Sequence, residues 1–501
     1  MPSPSAPTPR KPNLVFIIVD DMGVGDLSCL TPDSRIRTEN LDELAAGGMI
    51  FRDGHSSAAV CTPSRYSVLT GRYSFRSRLK KGVTMGYCPP VVEEGRMTVG
   101  SLLQGAGYHT ACIGKWHLGW NWAKDAAGEI DFTQPIANGP TTAGFDHYFG
   151  ISASLDMAPY VYIENDRVVV QPDRVIPEVK GKSFYREGPI SPGFEHEDVL
   201  PTLTRNAMAY LDERADESAQ ASADDSQPFF LYFPLPAPHT PILPTPEFAG
   251  RTGVNAYADF CLQVDDVVGQ VMDKLEARGL TDDTIVVFTA DHGCSPMADF
   301  DELANADHHP SGPYRGHKAD IYEGGHRVPY LVRWPATIPA GTECCDTVCS
   351  VDLLATMAEI VDQPLPDTAG EDSVSHLPLW RNETRDAPLR EATVHQSIDG
   401  SLAIRQGPWK LAACPGSGGW SHPKADDPCQ GMPRVQLFNL DDDPGETVNR
   451  QADEPDRVAA LMALLANYVT SGRSTPGKPQ PNTPGPIPEP LARAAAAGVR
   501  N

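Results

Sequence analysis

Short, strongly apolar runs alternate along the chain with longer segments in which apolar residues recur every three or four positions. "NLVFIIVDD" (13–21), "PFFLYFPLPAPH" (228–239) and "TIVVFTADHG" (284–293) are runs of the first kind. Their length and aliphatic or aromatic content predict strands buried on both faces. Between the last two, "YADFCLQVDDVVGQVMDKLEARG" (257–279) places Phe260, Val264, Val267, Val271 and Leu275 on one helical face. It ends in Arg-Gly, a helix stop. Strand, helix, strand in that order predicts a crossover within a mainly parallel sheet.

After about residue 385 the pattern changes. "SLAIRQGPWKLAA" (401–413) predicts a hairpin, "VQLFNLDDDPGETVN" (435–449) a strand entering a turn, and "PDRVAALMALLANYV" (455–469) an amphipathic helix. The expectation is a small antiparallel sheet packed with one helix. From Ser471 onward, "GRSTPGKPQPNTPGPIPEP" is proline-rich and is expected to be a tail with no core to join. The predicted organisation is a flexible segment over 1–12, a large α/β domain over 13–384, a small α+β subdomain over 385–472 and a tail over 473–501. No internal repeat is visible.

At 501 residues, 40% of them hydrophobic and 21% charged, the chain can bury a large core. A net charge of −25 argues against a nucleic-acid or anionic-membrane binder, while leaving room for an anion in a locally basic site. No apolar run is long enough to span a membrane. "MPSPSAPTPRKPN" lacks the apolar stretch of a signal peptide. The expected location is therefore cytoplasmic for a complete chain, or periplasmic or secreted if a leader has been removed. The eleven cysteines do not form a dense disulfide framework. "ECCDTVC" (Cys344, Cys345, Cys349) has no second Cys/His pair at zinc spacing and is expected to be a loop of thiols. Cys414 and Cys429 flank a Gly/Pro/Ser-rich loop and are candidates to pair in an oxidising compartment.

Polar residues end each core run: Asp20-Asp21 the first, His239 the second, Asp291-His292 the third. In open α/β sheets ligands bind beyond the carboxyl ends of the strands, so these residues define one candidate site. Three carboxylates repel one another unless a cation joins them, and they are the oxygen-rich set hard divalent ions prefer. "GKWHLG" (114–119) offers Lys115 and His117, with glycines expected to let the backbone approach a ligand closely. "GHKADIYEGGHRVP" (316–329) adds Lys318. With Arg65 these would make a cationic pocket suited to a sulfate or phosphate ester. In "AVCTPSRYSVLTGRY" (59–73), Cys61 stands just before a Pro-containing helix start, where the helix dipole favours negative charge. It reads as a packed thiol, a low-pKa nucleophile, or a precursor. A soft thiolate suits a hard metal poorly.

These stretches together resemble the type I sulfatase family. "CTPSR" matches its C-x-P-x-R signature and "LTGRY" the continuation. "DDMGVGDLSC" matches its N-terminal metal strand, "GKWHLG" its second motif, and "LFNLDDDPGETVN" its C-terminal region. Within the family the chain looks like the arylsulfatase A and N-acetylgalactosamine-6-sulfatase group. The resemblance implies an alkaline-phosphatase-like fold: a large mixed, mainly parallel sheet between helices, with a small C-terminal antiparallel sheet. It implies that a formylglycine-generating (sulfatase-maturating) enzyme oxidises Cys61 to formylglycine, whose hydrate is the nucleophile, and that Arg65 holds the diol. It further implies that Asp20, Asp21, Asp291, His292 and the converted residue 61 hold one divalent metal. Calcium is expected, although His292, where many members have Asn, admits magnesium or manganese. Lys115, Lys318 and His239 would bind the sulfate, His239 would protonate the leaving oxygen, and His117 would act as the base that regenerates the aldehyde.

Two other readings compete: a phosphonate monoester or phosphodiester hydrolase of the same superfamily, and an inactive glycan-binding homologue. The expected substrate is a sulfated small molecule or glycan. Arg72, Arg76, Arg78, Lys80 and Lys81 read either as a solvated face or as a subsite for a polyanionic glycan. Segments 154–162 and 306–317 are candidates to line the leaving-group pocket.

Overall fold

Every residue of Asn13–Val19 (β1) is buried, and alternate side chains enter opposite cores. Val15, Ile17 and Val19 face one layer and Leu14, Phe16 and Ile18 the other, the period of two that a central strand imposes. The computed structural model describes residues 11–221, 226–424, 427, 431–485 and 492. Further along the chain come Met49–His55 (β2), His109–Lys115 (β3), His147–Ile151 (β4), Ile163–Glu164 (β5) and Arg167–Val168 (β6). A two-stranded ribbon of Arg174–Ile176 (β7) and Gly188–Ile190 (β8) follows. Phe229–Pro234 (β9), Thr284–Ala290 (β10), Tyr330–Arg333 (β11) and Thr342–Cys349 (β12) complete a ten-stranded sheet, ordered β12-β2-β11-β10-β1-β9-β3-β4-β5-β6.

The centre is parallel: β1 pairs with β10 and β9, and β3 pairs with β9 and β4. Helix Ala256–Ala277 joins β9 to β10 across β1, as its apolar spacing predicts. Its Asn255 side chain caps the first turn by accepting from the Ala258 N–H, a contact worth about 1 kcal/mol. Helices Glu39–Ala46, Val199–Gln220 and Ala256–Ala277 contribute to one core, and Cys61–Thr70, Val99–Gly105 and Leu353–Ile360 to the other.

The C-terminal prediction also holds. Thr393–Gln396 (β13), Leu402–Gln406 (β14), Trp409–Ala412 (β15) and Gln436–Asn439 (β16) form an antiparallel sheet. Helix Pro455–Ser471 buries Leu461 and Leu465 in a core shared with Leu402, Ile404, Leu411 and Leu437. The small sheet is stitched to the large domain beside Cys61: the Ala59 N–H donates to Gln396 O at 2.9 Å, and the Gln396 N–H to Ser57 O at 3.0 Å.

Several expectations fail. "ECCDTVC" is not a loop but most of β12, which runs parallel to β2 with a register shift between Cys344 and Thr347. Pairing with β2 supplies the order that its polar composition hides. The Cys414–Cys429 pairing cannot be followed, because Cys429 lies outside the described residues. Arg72 and Arg76 form neither a solvated face nor a glycan subsite: both are fully buried. Arg76 bonds Asp372 through Nε and Nη2, each at 2.8 Å, and Arg72 bonds Glu371 at 3.1 Å. Lys80 is buried as well, donating to Phe75 O and Thr483 O at 2.9 Å. Lys81 alone of the five is exposed.

These buried cations also account for residues 472–485, which dock where a free tail was expected. Arg72 donates to Pro481 O at 2.9 Å, Arg76 to Asn482 Oδ1 at 3.3 Å, and Ser474 Oγ to Asp372 at 2.8 Å. Side-chain hydrogen bonds, with backbone ones from Ser474 to Glu371 O and from Thr483 to Arg76 O, hold the segment. Among the described residues, no helix is long and apolar enough to cross a membrane.

Candidate active site

β1 and β10 run parallel with Val19 opposite Ala290, so the residues that follow them emerge side by side. The Asp291 N–H donates to Val19 O and the Asp20 N–H to Ala237 O, both at 3.0 Å. This continues the ladder one step past the strands and aims both carboxylates beyond the sheet. Asp21 takes a left-handed conformation, φ 69°. Its carbonyl accepts from Tyr257 Oη at 2.9 Å, and the same hydroxyl donates to Asp26 at 2.6 Å. β9, on the other side of β1, leads to His239. The three strand ends therefore meet as the sequence predicts. Gly293 is required after His292, because a Cβ there would lie 1.9 Å from Gly324 O.

Cys61 begins helix Cys61–Thr70 and is 2% exposed. Its Sγ lies 3.2 Å from His292 Nε2 and 3.5 Å from Asp20 Oδ1. One turn on, Arg65 donates through Nε to Asp291 Oδ2 at 2.9 Å and through Nη1 to Lys115 O at 3.2 Å. Lys115, at the end of β3, bonds Asp20 Oδ2 and, at 2.5 Å, Ser154 Oγ. Lys318 donates to Asp21 Oδ1 at 2.6 Å. Three carboxylates thus face three cations in a buried cluster. Burial opposes ionisation of Asp20, but Lys115, with His239, Arg65 and Lys318, holds its carboxyl well below the usual range. Burial, reinforced by the Asp20 charge, lifts Asp21 to about 6 in spite of Lys318. Burial favours neutral His292, but Asp291 and Cys61 lift it to about 9.

The donor set fits a divalent cation. Ligand atoms of Asp20, Cys61, Asp291 and His292 all lie within 4.8 Å of one another. Asp291 Oδ1 is buried without a hydrogen-bond partner. His292 Nδ1 lies 3.0 Å from Gly293 O, so the ring donates there and turns Nε2 toward the carboxylates, where a bound cation would displace the Nε2 proton, the arrangement that metal-bound imidazoles use. A second buried group, His55, His326 and His395, does not offer a comparable site. The His326 and His395 rings stack at 3.8 Å and 9°, so their in-plane lone pairs run side by side instead of converging.

A cavity of about 480 Å³ opens onto Cys61, His117, His239 and Lys318. His117, held at φ 55°, lies with Nε2 2.8 Å from Thr84 O. Nδ1 is therefore the unprotonated nitrogen, and it is buried without a partner. Burial, then Lys115 and Arg65, push this ring's pKa well below the ordinary histidine value, so it stands as a free base. His239 Nδ1 lies 2.6 Å from Thr240 O, which turns Nε2 toward Ser154 Oγ at 3.5 Å and Asp21 Oδ2 at 3.7 Å. Burial and Lys318 push its pKa down too.

The glycines of "GKWHLG" serve chain packing, not ligand approach. A Cβ on Gly114 would sit 2.1 Å from Pro234 O, and one on Gly119 2.2 Å from Pro89 O. Of the two loops expected to line the pocket, 154–162 does so through Ser154, Asp156 and Met157. Segment 306–317 does not: His308 bonds Asp26 at 2.8 Å, and the His309 and Pro310 carbonyls crowd Gly25 and Gly23. Sequence reasoning missed Asp156, Arg186, Met297 and Trp420 individually. Only the loop-like texture of 154–162 pointed toward one of them.

A sequence model of the family described as "Sulfatase" matches residues 12–362. An N-acetylgalactosamine-6-O-sulfatase from Bacteroides thetaiotaomicron is 32% identical, over 92% of this chain and 94% of its own. Human arylsulfatase A is 31% identical, over 88% and 83%. A solved structure from glycosaminoglycan metabolism in Bacteroides thetaiotaomicron superposes with a TM-score of 0.78 at 31% identity, covering 91% of this chain and 98% of the other. The phosphonate monoester hydrolase of Agrobacterium radiobacter, at 18% identity and a TM-score of 0.57 over 90% of this chain and 94% of its own, shares the fold alone, the alkaline-phosphatase-like one.

Proposed function

Because the chain belongs to the sulfatase family and is a sulfuric ester hydrolase, we propose that its substrate is a sulfated carbohydrate and that residue 61, oxidised to formylglycine, carries the nucleophile. The observation that supports this most is the setting of Cys61. Its side chain lies among Asp20, Asp291 and His292, a surrounding of hard donors that suits an oxygen nucleophile and not a thiolate. The names of the relatives, above all the N-acetylgalactosamine-6-O-sulfatase, point to a hexosamine 6-sulfate as the first candidate.

Asp20, Asp21, Asp291 and His292 would hold one divalent ion, calcium in the first instance. Such an ion supplies Lewis-acid charge to the sulfate and lowers the pKa of a neighbouring hydroxyl. Lys115 and Lys318, on either side of the cluster, bind the remaining sulfate oxygens. One hydroxyl of the formylglycine hydrate, held by Arg65 and having released its proton to solvent, attacks sulfur through its oxygen as the S–O bond to the sugar breaks. His239 Nε2 gives its proton to the departing oxygen; the negative ester offsets the Lys318 charge and raises the ring's pKa once substrate is bound. The second hydroxyl then yields its proton to His117 Nδ1, the C–O bond to sulfate breaks, and the aldehyde returns. A serine at this position would lack the second hydroxyl and stay sulfated.

Mass spectrometry of the residue-61 peptide, after expression with a maturating enzyme, should show the loss from thiol to aldehyde. Cys61→Ala should fold and have no turnover, and the wild type should prefer a sugar sulfate to a phosphonate monoester. An unmodified Cys61 in fully active protein would refute the nucleophile.

A further inference from the structure

Asp156 stands apart from the sulfate chemistry while lining the same cavity as Cys61 and His239. Its carboxylate is 4% exposed. Arg186 bonds one oxygen, Oδ2; the other, Oδ1, is buried and has no partner. A carboxylate repels a sulfate group, so an unmet acceptor here serves the uncharged part of the ester. It lies two residues beyond Ser154, which bonds Lys115 and reaches His239.

The opposite character is presented by Trp420, a lining residue that remains 40% exposed. Its loop is fixed to the sulfate-binding segment. Buried Asp320, two residues after Lys318, accepts the Trp420 and Ser421 N–H groups through Oδ1 at 2.8 and 3.0 Å. Gly419 lies so close that a Cβ would sit 2.4 Å from Ala319 O. The Trp420 backbone therefore keeps a set position relative to Lys318. A pyranose has hydroxyls on its edge and an apolar C–H face, matching one hydrogen-bond acceptor and one aromatic plane.

We propose that Asp156 and Trp420 determine sugar specificity: Asp156 Oδ1 accepts from a free ring hydroxyl of the sulfated pyranose, and Trp420 stacks on its apolar face. This rests on the hydrolase reading above. Asp156→Ala should lower kcat/KM for N-acetylgalactosamine 6-sulfate or the preferred hexose 6-sulfate about 10- to 150-fold, the worth of a hydrogen bond to a charged group. The loss on 4-nitrophenyl sulfate, which has no hydroxyl to donate, should be about ten-fold smaller. Trp420→Ala should raise KM for the sugar about 2- to 10-fold with little change in kcat, and Trp420→Phe should restore it. Equal losses of Asp156→Ala on both substrates, or no loss on the sugar, would overturn the inference. A wild-type enzyme that cleaves the aryl sulfate but no hexose or hexosamine 6-sulfate overturns it and leaves the hydrolase reading standing. Inertness toward both, with Cys61 converted, overturns both.

Discussion

Replacing His239 with alanine separates an acid from an anion binder. The ring is 7% exposed, tethered through Nδ1 to Thr240 O at 2.6 Å, with Nε2 toward Ser154 and Asp21. Truncation leaves Lys115 on Asp20, Lys318 on Asp21 and Arg65 on Asp291, so the nucleophile and the sulfate cradle keep their supports. If His239 protonates the leaving oxygen, the loss scales with the basicity of that oxygen. A sugar alkoxide should lose about 10²–10⁴-fold in kcat, the usual contribution of general acid catalysis. Nitrophenolate leaves readily without a proton and should lose only what one charge-assisted contact to sulfate supplies, about 10-fold. If the ring only binds sulfate, which both substrates carry, the two losses match. Steady-state kcat and kcat/KM for a hexosamine 6-sulfate and 4-nitrophenyl sulfate, in wild type and His239→Ala, give the comparison. Equal losses would remove His239 from the acid role.

Chelation should lower both activity and melting temperature, because binding to the native state alone stabilises by mass action and its removal leaves Asp20 and Asp291 crowded; an unchanged melting curve after verified metal removal would refute the site. Arg76→Ala removes the two charged hydrogen bonds to buried Asp372, leaving it only the Tyr73 N–H and Ser474 Oγ, and should destabilise by about 3–5 kcal/mol, read as a lowered thermal midpoint together with easier proteolysis of the C-terminal segment. An unaltered midpoint would mean that the buried pair is replaceable. Burial holds His196, stacked on Tyr185 at 4.2 Å, down to about 4. Its folded pKa is below the unfolded value, so its contribution is full above pH 6.5 and is lost as pH falls from 6.5 toward 4. The cost at the acid end is about 1–3 kcal/mol, discounted for partial exposure. His196→Phe should flatten stability over that window, and a wild-type slope retained in the variant would place the transition elsewhere.

The sequence by itself determined the elements whose information is local. β1, β9 and β10 were legible because a strand buried on both faces must be apolar throughout, and helix Ala256–Ala277 because its stripe repeats at helical spacing. Asp20, Asp21, Asp291 and His292 followed, since they stand directly after those strands and parallel pairing brings the ends together. Cys61, Arg65, Lys115 and Lys318 came from motifs a few residues long, and all four sit in the one buried cluster. Only the tertiary structure decided the rest. Nothing near Arg76 in sequence distinguishes a solvated guanidinium from one paired with Asp372, 296 positions away. Residues 472–485 look free because they carry acceptors whose donors lie at the far end of the chain: Arg72 and Lys80 donate to the Pro481 and Thr483 carbonyls, and Arg76 to Asn482 Oδ1. Asp156 and Trp420 occur in unremarkable local contexts and become a pair only where the small sheet's loop is bonded to Asp320. Exposure and pairing are properties of neighbours in space, and long-range contacts assign those neighbours after the local pattern has been spent.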